Sequence, residues 1–406
     1  MNPKPTIVLL FTTFPKISET FLQRDVAALQ AQGLNLRLYS RWGGGGEFRG
    51  LPVRSFNKWK LVPLFLFEIP WQCLRRPRVV RDLFEGVCTR VAPSWLNFWE
   101  NMLGAGFAGC FYRELLQDPP ALIHGAWAGA PATAGWVLWR MLGWRYSSGA
   151  HAYDIYEHGG DWWLLEKLQH ARFIHASTEA AKRELVERGV PAAQILVIRR
   201  GLDTFPPFKP LRPNRTPLRL LCIARLVPKK GLDHQLAIYA ALQAAGLGFE
   251  ARIVGDGPLQ AALAGRAREL GLDQSVKFLG RLEQAAVWEQ LAWADVLLHT
   301  GIVAPSGDRD GLPNVIPEAM AAGVLVVTSP VSATTEAIQQ ERTGLVADVT
   351  QPQEWVVVLE RLANNEALAE RLRSAARRWV EENYDAHQNT ARLAASFTEA
   401  MKDSEF

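Results

Sequence analysis

The sequence predicts an α/β protein with two doubly wound parallel-sheet domains. Its 406 residues exceed the roughly 250–300 at which a single hydrophobic core stops growing. In both halves, short apolar runs of strand length alternate with helical patterns, which is typical of parallel sheets covered by helices. A segment with five prolines, residues 206–217, separates the halves. We therefore expect two domains of similar size joined by a linker.

The first half opens with a β-α-β pattern. Residues 7–11 form an apolar run of strand length, and residues 34–39 alternate as the next strand. Between them lies a helical pattern with Ser18 as the expected N-cap and Gly33 at its end. The glycines at 43–46 predict a surface loop, with a phosphate-binding loop as the alternative.

The region 59–108 has a different character. It lacks strand alternation and places apolar residues at helical spacing, which predicts several helices. Tryptophan and phenylalanine are mixed there with arginine and lysine. Two interpretations of residues 59–99 stay open: a part of the domain core, or a face that contacts a membrane interface peripherally.

Three later apolar runs of the first half, 122–124, 149–154 and 173–177, contain or end in polar residues. The carboxyl ends of parallel strands meet at one edge of a sheet, where such side chains become available to a ligand. A histidine at the end of a strand often has only a structural role, and this alternative stays open for the three histidines of these runs. The residues concerned are His124, His151, Asp154 and His175.

The second half repeats the alternation of strand and helix to the end of the sheet region. Its first strand is predicted at 218–223 and its last helical patterns run from about 354 to 397. The proline density of the connecting segment is tolerated by neither a helix nor a central strand. The expected domains are 1–205, a linker at 206–217, 218–385, and a C-terminal helix at 386–406 that packs back on the first domain.

Composition excludes several classes of protein. A net charge of +4 is too small an excess to indicate nucleic-acid binding. The cysteines form no CxxC pair and have no histidine at metal-ligand spacing, so neither a zinc site nor a disulfide framework is expected. No signal peptide and no bilayer-spanning run is expected either. These features favour a protein of the cytoplasm, with peripheral contact at the inner face of the membrane left open.

The strongest local motif is the string DRDGLPNVIPEAMAAG at 308–323. It predicts a loop with two acids and a glycine turn that opens a helix, whose free N–H groups and dipole favour an anion. Glu318 is expected about one turn into that helix, where its carboxylate can accept hydrogen bonds from the vicinal hydroxyls of a ribose. Asp310 lies on the preceding loop. An isolated pair of this kind would more often be two solvated surface acids.

Two cations, Arg225 and Lys230, follow the predicted strand at 218–223. They could be ordinary surface charges. At the carboxyl end of a buried strand, however, they are placed to receive a diphosphate and to offset the charge of a departing one. No Asp-x-Asp run ends a strand, so we expect no metal ion and no cofactor.

The spacing from Asp310 to Glu318 resembles the paired-acid motif of the retaining glycosyltransferases of family 4. The similarity extends through 224–231, 254–259 and 278–280, and so covers nearly the whole second half. In the first half, the strings FPKISETF at 14–21 and HAYD at 151–154 look like the exopolysaccharide and colanic-acid branch of that family.

The resemblance implies the GT-B fold, in which two Rossmann-like domains face a central cleft. It also implies a metal-independent, retaining transfer of a hexose-type sugar from a UDP- or GDP-linked donor to a glycan or lipid-linked acceptor. The catalytic residues implied are His151, Arg225, Lys230, Asp310 and Glu318. The further donor-binding residues are Gly280, Arg281, Gly311, Leu312, Pro313 and Asn314. The expected acceptor-side residues are Lys16, Ser18, Glu19, Thr20, His124 and Asp154.

Two departures from the family pattern stand out. Asp310 is one methylene shorter than the glutamate of many members, and the loop at 12–16 lacks the paired glycines by which many relatives approach the donor phosphate. Two other functions remain as alternatives: a nucleotide-sugar epimerase of the same architecture, and an inactive donor-binding scaffold subunit.

Overall fold

The computed structural model describes residues 5–16, 19–41, 43, 46–56, 58–331 and 333–402. The chain divides into two compact units. The N-terminal unit comprises residues 1–199 and 387–406, and the C-terminal unit comprises residues 200–386. The prediction of two doubly wound α/β domains is confirmed.

The N-terminal unit is built on an eight-stranded sheet in the order β3-β4-β2-β1-β5-β6-β7-β8. Neighbouring strands pair in parallel except β3 with β4, which are antiparallel. The strands are β1 (Thr6–Phe11), β2 (Asn35–Ser40), β3 (Glu47–Phe48), β4 (Leu51–Ser55), β5 (Leu122–Gly125), β6 (Tyr146–Gly149), β7 (Ile174–Ala176) and β8 (Ile195–Val197).

Helices of the N-terminal unit connect these strands. They are α1 (Thr20–Ala31), α2 (Leu61–Pro63), a π-helical turn (Leu64–Glu68), α3 (Ile69–Arg75), α4 (Pro77–Thr89), α5 (Trp95–Gln117), α6 (Ala130–Leu142), α7 (Ala152–Tyr156), α8 (Leu164–Gln169) and α9 (Glu179–Glu187). Helix α1 begins one residue after Glu19, which occupies the N-cap. The predicted cap, Ser18, lies outside the described residues, as do Gly44 and Gly45 of the glycine loop.

Strand β1 shows why this sheet is covered on both faces. All six of its residues are buried, as expected for a central parallel strand. Successive side chains of a strand point to opposite faces. Ile7 and Leu9 accordingly pack in one hydrophobic cluster with α1, while Val8 and Leu10 belong to a second cluster with α5 and α6.

A buried polar network lies beneath α5 in this unit. Lys167 of α8 is fully buried and forms an ion pair with Asp161, whose side chain is also buried. Asn101 of α5 accepts a hydrogen bond from Lys167 Nζ at 3.1 Å and donates to Asp161 Oδ1 at 3.1 Å. Asn97 donates to Asp161 Oδ2 at 2.8 Å. Both members of the pair are thus hydrogen-bonded to asparagine side chains as well as to each other, the condition under which buried charges are tolerated.

Replacing Lys167 by methionine should destabilise the N-terminal unit by about 3–5 kcal/mol, because Asp161 would keep a buried charge without its partner. The double variant Lys167→Met, Asp161→Asn should recover much of that loss, since neither residue then carries a charge. Urea unfolding of both variants measures the difference. Equal destabilisation of the single and double variants would contradict the role given to the ion pair.

The C-terminal unit has a six-stranded, all-parallel sheet in the order β11-β10-β9-β12-β13-β14. Its strands are β9 (Leu218–Ile223), β10 (Phe249–Val254), β11 (Val276–Gly280), β12 (Val296–His299), β13 (Leu325–Thr328) and β14 (Leu345–Val346). Its helices are α10 (Leu232–Ala244), α11 (Gln260–Glu269), α12 (Gln284–Trp293), α13 (Val315–Ala322), α14 (Thr334–Ala337), α15 (Pro352–Asn364) and α16 (Glu366–Asn383).

The strand order of this sheet reverses between β9 and β12. From β9 the chain winds outward to β10 and β11, and from β12 it winds in the other direction to β13 and β14. The loops after β9 and β12 therefore leave the sheet toward opposite faces. Such a switch point opens a crevice at the carboxyl ends of the strands, where ligands of doubly wound proteins bind.

The proline-rich segment 206–217 lies inside the C-terminal unit, because the division between the units falls at Arg199 and Arg200. Its Phe208 ring lies 4.7 Å from the guanidinium carbon of Arg373, a buried residue of α16. The last helix, α17 (Ala386–Met401), belongs mainly to the N-terminal unit. There Phe397 is fully buried against Phe173 and His124.

Candidate active site

The loops that follow β9 and β12 are fastened to each other at the switch point. Thr300 Oγ1 donates a hydrogen bond to the carbonyl of Lys230 at 3.1 Å, and the Ile302 N–H donates to the carbonyl of Lys229 at 2.9 Å. Gly231 adopts a φ of +60°, and a Cβ there would lie 2.0 Å from the Thr300 carbonyl oxygen. Only glycine allows the two loops to approach this closely.

The same loops bring together five ionisable side chains, which we call the acid–lysine cluster: Lys229, Lys230, His299, Asp308 and Asp310. Lys230 Nζ lies 2.6 Å from Asp310 Oδ2. Lys229 Nζ lies 2.9 Å from Asp308 Oδ2 and 3.7 Å from Asp310 Oδ1. His299 Nε2 lies 3.5 Å from Asp310 Oδ2. The predicted site residues Lys230 and Asp310 are therefore in direct contact.

The cluster holds its groups in defined charge states. Burial would raise the pKa of Asp310, but Lys230 and His299 outweigh that effect and hold this pKa well below its ordinary value. Burial lowers the pKa of His299, and the neighbouring Asp310 carboxylate opposes that shift without cancelling it. Asp310 is then an ionised carboxylate that only accepts hydrogen bonds, which suits it to the hydroxyls of a sugar.

Helix α13 begins directly after the acid loop. Asn314 occupies its N-cap without a side-chain cap hydrogen bond, and Glu318 lies half-buried in its first turn. The N–H of Glu318 donates to the Asn314 carbonyl at 3.1 Å. Leu312 of the loop is buried, whereas Gly311 and Pro313 are half-buried. The positive end of the helix dipole thus lies next to the acids, as the motif predicts.

The loops after β10 and β11 pack against the β9 loop. Gly255 has a φ of +133°, and a Cβ there would lie 1.9 Å from the Ala224 carbonyl oxygen. Its N–H donates to the Gly280 carbonyl at 2.8 Å. Arg225 and Arg281 stand exposed on these loops and take part in none of the ion pairs found among the described residues. Their predicted role in donor binding stays a prediction.

In the N-terminal unit, His151 follows β6 and is 5% exposed. Its ring packs edge-on against Trp127 at 5.3 Å and against His175 at 5.2 Å between ring centroids. Asp154, three residues later, accepts hydrogen bonds from the N–H groups of Ala128 at 3.0 Å and His151 at 3.3 Å. It thereby fixes the loop after β5 to the loop after β6.

Asp154 was expected on the acceptor side, but it is 2% exposed and serves as an internal anchor. His124 requires the same correction. Its Nδ1 lies 2.9 Å from Ser147 Oγ, its ring packs against Phe397, and burial together with His175 lowers its pKa to about 3. His124 is therefore a neutral core residue, because its position in mid-sheet is covered by helix α17.

The other acceptor-side candidates lie at the start of α1. Lys16 Nζ forms an ion pair with Glu19 Oε1 at 2.6 Å. Ser18 lies outside the described residues, and so does the side chain of Thr20. Of these four acceptor-side candidates, Lys16 and Glu19 are thus in contact with each other.

Sequence reasoning missed Lys229 and His299 as members of the site. Lys229 had a signal, since it precedes Lys230 in the string PKKG, yet adjacent lysines do not reveal which one is buried. The structure buries Lys229 to 8% exposure. His299 ends a strand that the pattern does predict, but only the pairing of β12 with β9 shows that it faces the acid loop.

Burial and the charge of Asp161 raise the pKa of Asp154 to about 7. The folded chain therefore keeps a proton that the unfolded chain releases near pH 4. The stability that this proton contributes is present below about pH 4 and is lost as the pH rises through 7. Asp154→Asn removes the titration and keeps an oxygen for the Ala128 N–H.

The free energy of unfolding of Asp154→Asn should therefore rise relative to that of wild type between about pH 4 and about pH 7, by at most about 1.4 kcal/mol per pH unit. Urea unfolding at several pH values measures the trend. A difference that is independent of pH would show that Asp154 is ionised throughout this range.

The two doubly wound units, each built on a mainly parallel sheet, and the crevice loops of the second unit are the components of the GT-B fold of glycosyltransferases. Structural comparison agrees. The chain aligns with Anabaena Alr3699/HepE, solved in complex with UDP, at a TM-score of 0.71 and 18% identity, covering 97% of this chain and 100% of that one. At that identity the likeness shows the fold.

Two family models match the chain. "Glycosyltransferase Family 4" matches residues 18–204 and "Glycosyl transferases group 1" matches residues 206–379. The chain therefore belongs to glycosyltransferase family 4, as its motifs predict.

Two of the curated relatives are glycosyltransferases of exopolysaccharide biosynthesis. The amylovoran biosynthesis glycosyltransferase AmsK of Erwinia amylovora is 34% identical over 52% of this chain and 53% of its own length. The putative colanic acid biosynthesis glycosyltransferase WcaL of Escherichia coli K12 is 33% identical over 39% of this chain and 40% of its own length. The chain thus spans about half the length of the curated relatives it matches.

Proposed function

We propose that this protein transfers a hexose-type sugar from a nucleotide-diphosphate sugar to a glycan or lipid-linked acceptor in cell-surface polysaccharide biosynthesis. The observation that carries the proposal is the acid–lysine cluster at the switch point of the C-terminal unit, where two lysines and two carboxylates meet beside the start of α13. The exopolysaccharide role of AmsK and WcaL, and the UDP bound to HepE, support it.

In this proposal the lysines receive the diphosphate. Lys230 and Lys229 are held by Asp310 and Asp308, so their positive charges are already oriented before a donor arrives. A charge that needs no reorganisation during the reaction stabilises a departing diphosphate most effectively. Arg225, which is exposed on the same loop, adds to the positive electrostatic potential at the diphosphate. The buried Lys229 and the half-buried Lys230 then supply the positive charge that a divalent metal would otherwise supply.

The carboxylates orient the donor. Asp310 is ionised and accepts hydrogen bonds from hydroxyls of the transferred sugar, while Glu318 accepts from the ribose. Gly311, Leu312 and Asn314 supply backbone N–H donors at the positive end of α13, and Pro313, which has no N–H, shapes the loop between them. Gly280 and Arg281 border the nucleotide, and His151 contacts the transferred sugar. Retention of configuration follows if the leaving diphosphate helps to deprotonate the acceptor hydroxyl on the same face.

Replacing Lys230 by alanine should lower kcat by about 100-fold, because the missing cation stabilises charge that develops during departure of the diphosphate. The same variant should weaken donor binding less. Steady-state kinetics and calorimetric titration with UDP and GDP separate the two effects.

The matched control is Lys277→Ala, which removes an exposed lysine from β11 of the same sheet and should leave kcat unchanged. Glu318→Ala should instead raise the Kd for the nucleoside diphosphate, because it loses the ribose contact. Unchanged nucleotide binding in Glu318→Ala, or equal kcat losses in Lys230→Ala and Lys277→Ala, would overturn the assignment.

Incubation with donor alone discriminates the alternatives. A transferase leaves most of the donor intact until an acceptor is added, whereas an epimerase converts the sugar and an inactive scaffold subunit binds it unchanged in both conditions. Product analysis with and without acceptor measures this.

Transfer should persist in excess EDTA, because Lys229 and Lys230 offset the diphosphate charge. Loss of transfer in EDTA, reversed by a divalent ion, would refute metal independence.

The proposal places the protein in the cytoplasm, with peripheral contact at the inner face of the membrane through residues 59–99. Among the described residues, no helix combines the length and apolar character needed to cross a bilayer. The basis for peripheral contact is the exposure of aromatic side chains in that segment, several of which lie more than half in solvent. Such contact would bring a lipid-linked acceptor to the N-terminal unit.

A further inference from the structure

The segment from Lys58 to Trp99 exposes large apolar side chains that a soluble surface rarely clusters. They lie on the 3-10 turn Lys58–Lys60, on the π-helical turn, on α3 and α4, in the loop after α4, and at the start of α5. The most exposed, each above 60%, are Trp59, Phe65, Leu66, Phe67, Leu74, Phe84, Val91, Trp95 and Leu96. The sequence left core and membrane face as alternatives, and these side chains are not core.

The same segment carries a strong positive charge. It contains seven lysines and arginines and only three carboxylates, so its net charge equals the +4 of the whole chain. Two of the carboxylates are already paired, Glu68 with Arg113 at 2.6 Å and Asp82 with Arg140. The arginines Arg75, Arg78 and Arg81 are exposed, and Arg90 is exposed but forms an ion pair with Glu166. Exposed tryptophan beside arginine is the composition of a surface that lies on anionic lipid.

An apolar cavity of about 430 Å³ opens within this segment, between the π-helical turn, α4, α5 and α6. Its size falls in the roughly 300–1,000 Å³ range of ligand pockets. Phe65 and Trp99, both exposed, line it near the surface, and Val137 of α6, only 3% exposed, lines it in the interior. The cavity therefore leads from the exposed apolar face into the core.

Arg76 and Glu68, two of the polar side chains around the cavity, bond to neighbours of their own, whereas Nε2 of the buried Gln72 has no hydrogen-bond partner among the described residues. Arg76 Nε donates to the Met141 carbonyl at 2.8 Å, and its Nη1 donates to Gln72 Oε1 at 2.6 Å. Glu68 accepts a hydrogen bond from Tyr112 at 2.8 Å. The cavity thus offers contacts to hydrocarbon and few free hydrogen-bonding groups, and an apolar space of this kind takes up apolar ligands in preference to water.

We infer that this cavity binds one hydrocarbon chain of an anionic membrane lipid, while the exposed arginines contact the headgroups around it. The inference rests on the membrane contact proposed above and adds a specific site to it. A second copy of the chain is a less suitable occupant, because the net positive charge of the segment would repel itself. An anionic bilayer supplies both the complementary charge and the chain.

Vesicles of phosphatidylcholine and phosphatidylglycerol, with a fraction of the phosphatidylglycerol carrying a diazirine near the end of one acyl chain, test the inference. Co-sedimentation measures binding, and mass spectrometry after illumination locates the label. We expect label on the interior residue Val137 as well as on exposed residues such as Trp71. Label confined to exposed residues would overturn the cavity site, and no binding to vesicles would overturn the membrane contact as well.

Variants separate the two parts of the interaction. Arg75→Glu with Arg78→Glu should weaken vesicle binding at least about 25-fold, since each arginine near an anionic surface contributes about fivefold. Arg183→Glu, on the exposed face of α9 in the same unit, is the matched control and should change binding little. Ala105→Trp fills the cavity and should abolish the label on Val137 while label on Trp71 remains.

Folding of each variant is checked by its melting temperature and by the thermal shift with UDP or GDP, which reports the C-terminal unit independently of lipid. If Ala105→Trp lowers the melting temperature, Val79→Trp fills the cavity from α4 instead. Persistent label on Val137 in a folded, filled variant would refute the site. If the protein forms a dimer in solution and does not bind vesicles, the exposed apolar surface of residues 58–99 is a dimer interface, and the inference is wrong.

Discussion

The ion pair between Lys230 and Asp310 is the contact on which the site in the C-terminal unit depends. It joins the loop after β9 to the loop that precedes α13, two segments separated by 80 positions in the chain. Its geometry requires the close approach at Gly231 and the reversal of strand order between β9 and β12. A sheet wound in one direction only would place these loops apart, and the lysines would then be surface charges without a defined partner.

Much of the fold follows from local pattern. Continuous apolar runs such as residues 7–11 of β1, together with the alternation of strand and helix, predict parallel sheets, because a strand that is buried on both faces has no alternating polar positions. The motif of the acid loop predicts α13 and the positions of Asp310 and Glu318. Pairing between distant segments is harder, since periodicity along the chain carries no information about which strand neighbours which. His299 and Lys229 were missed for that reason.

The same limit explains the corrections in the N-terminal unit. His124 and Asp154 end apolar runs, and position alone cannot separate a strand end that is open from one that is covered. Helix α17 covers His124, and Asp154 faces inward to two backbone N–H groups. For residues 59–99 the helical spacing of the apolar residues correctly predicts helices. An amphipathic pattern does not show whether the apolar side of a helix packs on the domain core or contacts a membrane interface.

The return of α17 has a consequence for synthesis on the ribosome. The C-terminal unit is one continuous stretch, and its two boundaries are bonded through Leu202 to Tyr384 and Ala386. The N-terminal unit lacks the helix that carries Phe397 until residues 386–401 have been synthesised, after the whole of the second unit. The second unit can therefore complete its fold before the first, and Phe173 and His124 lack their Phe397 contact until then.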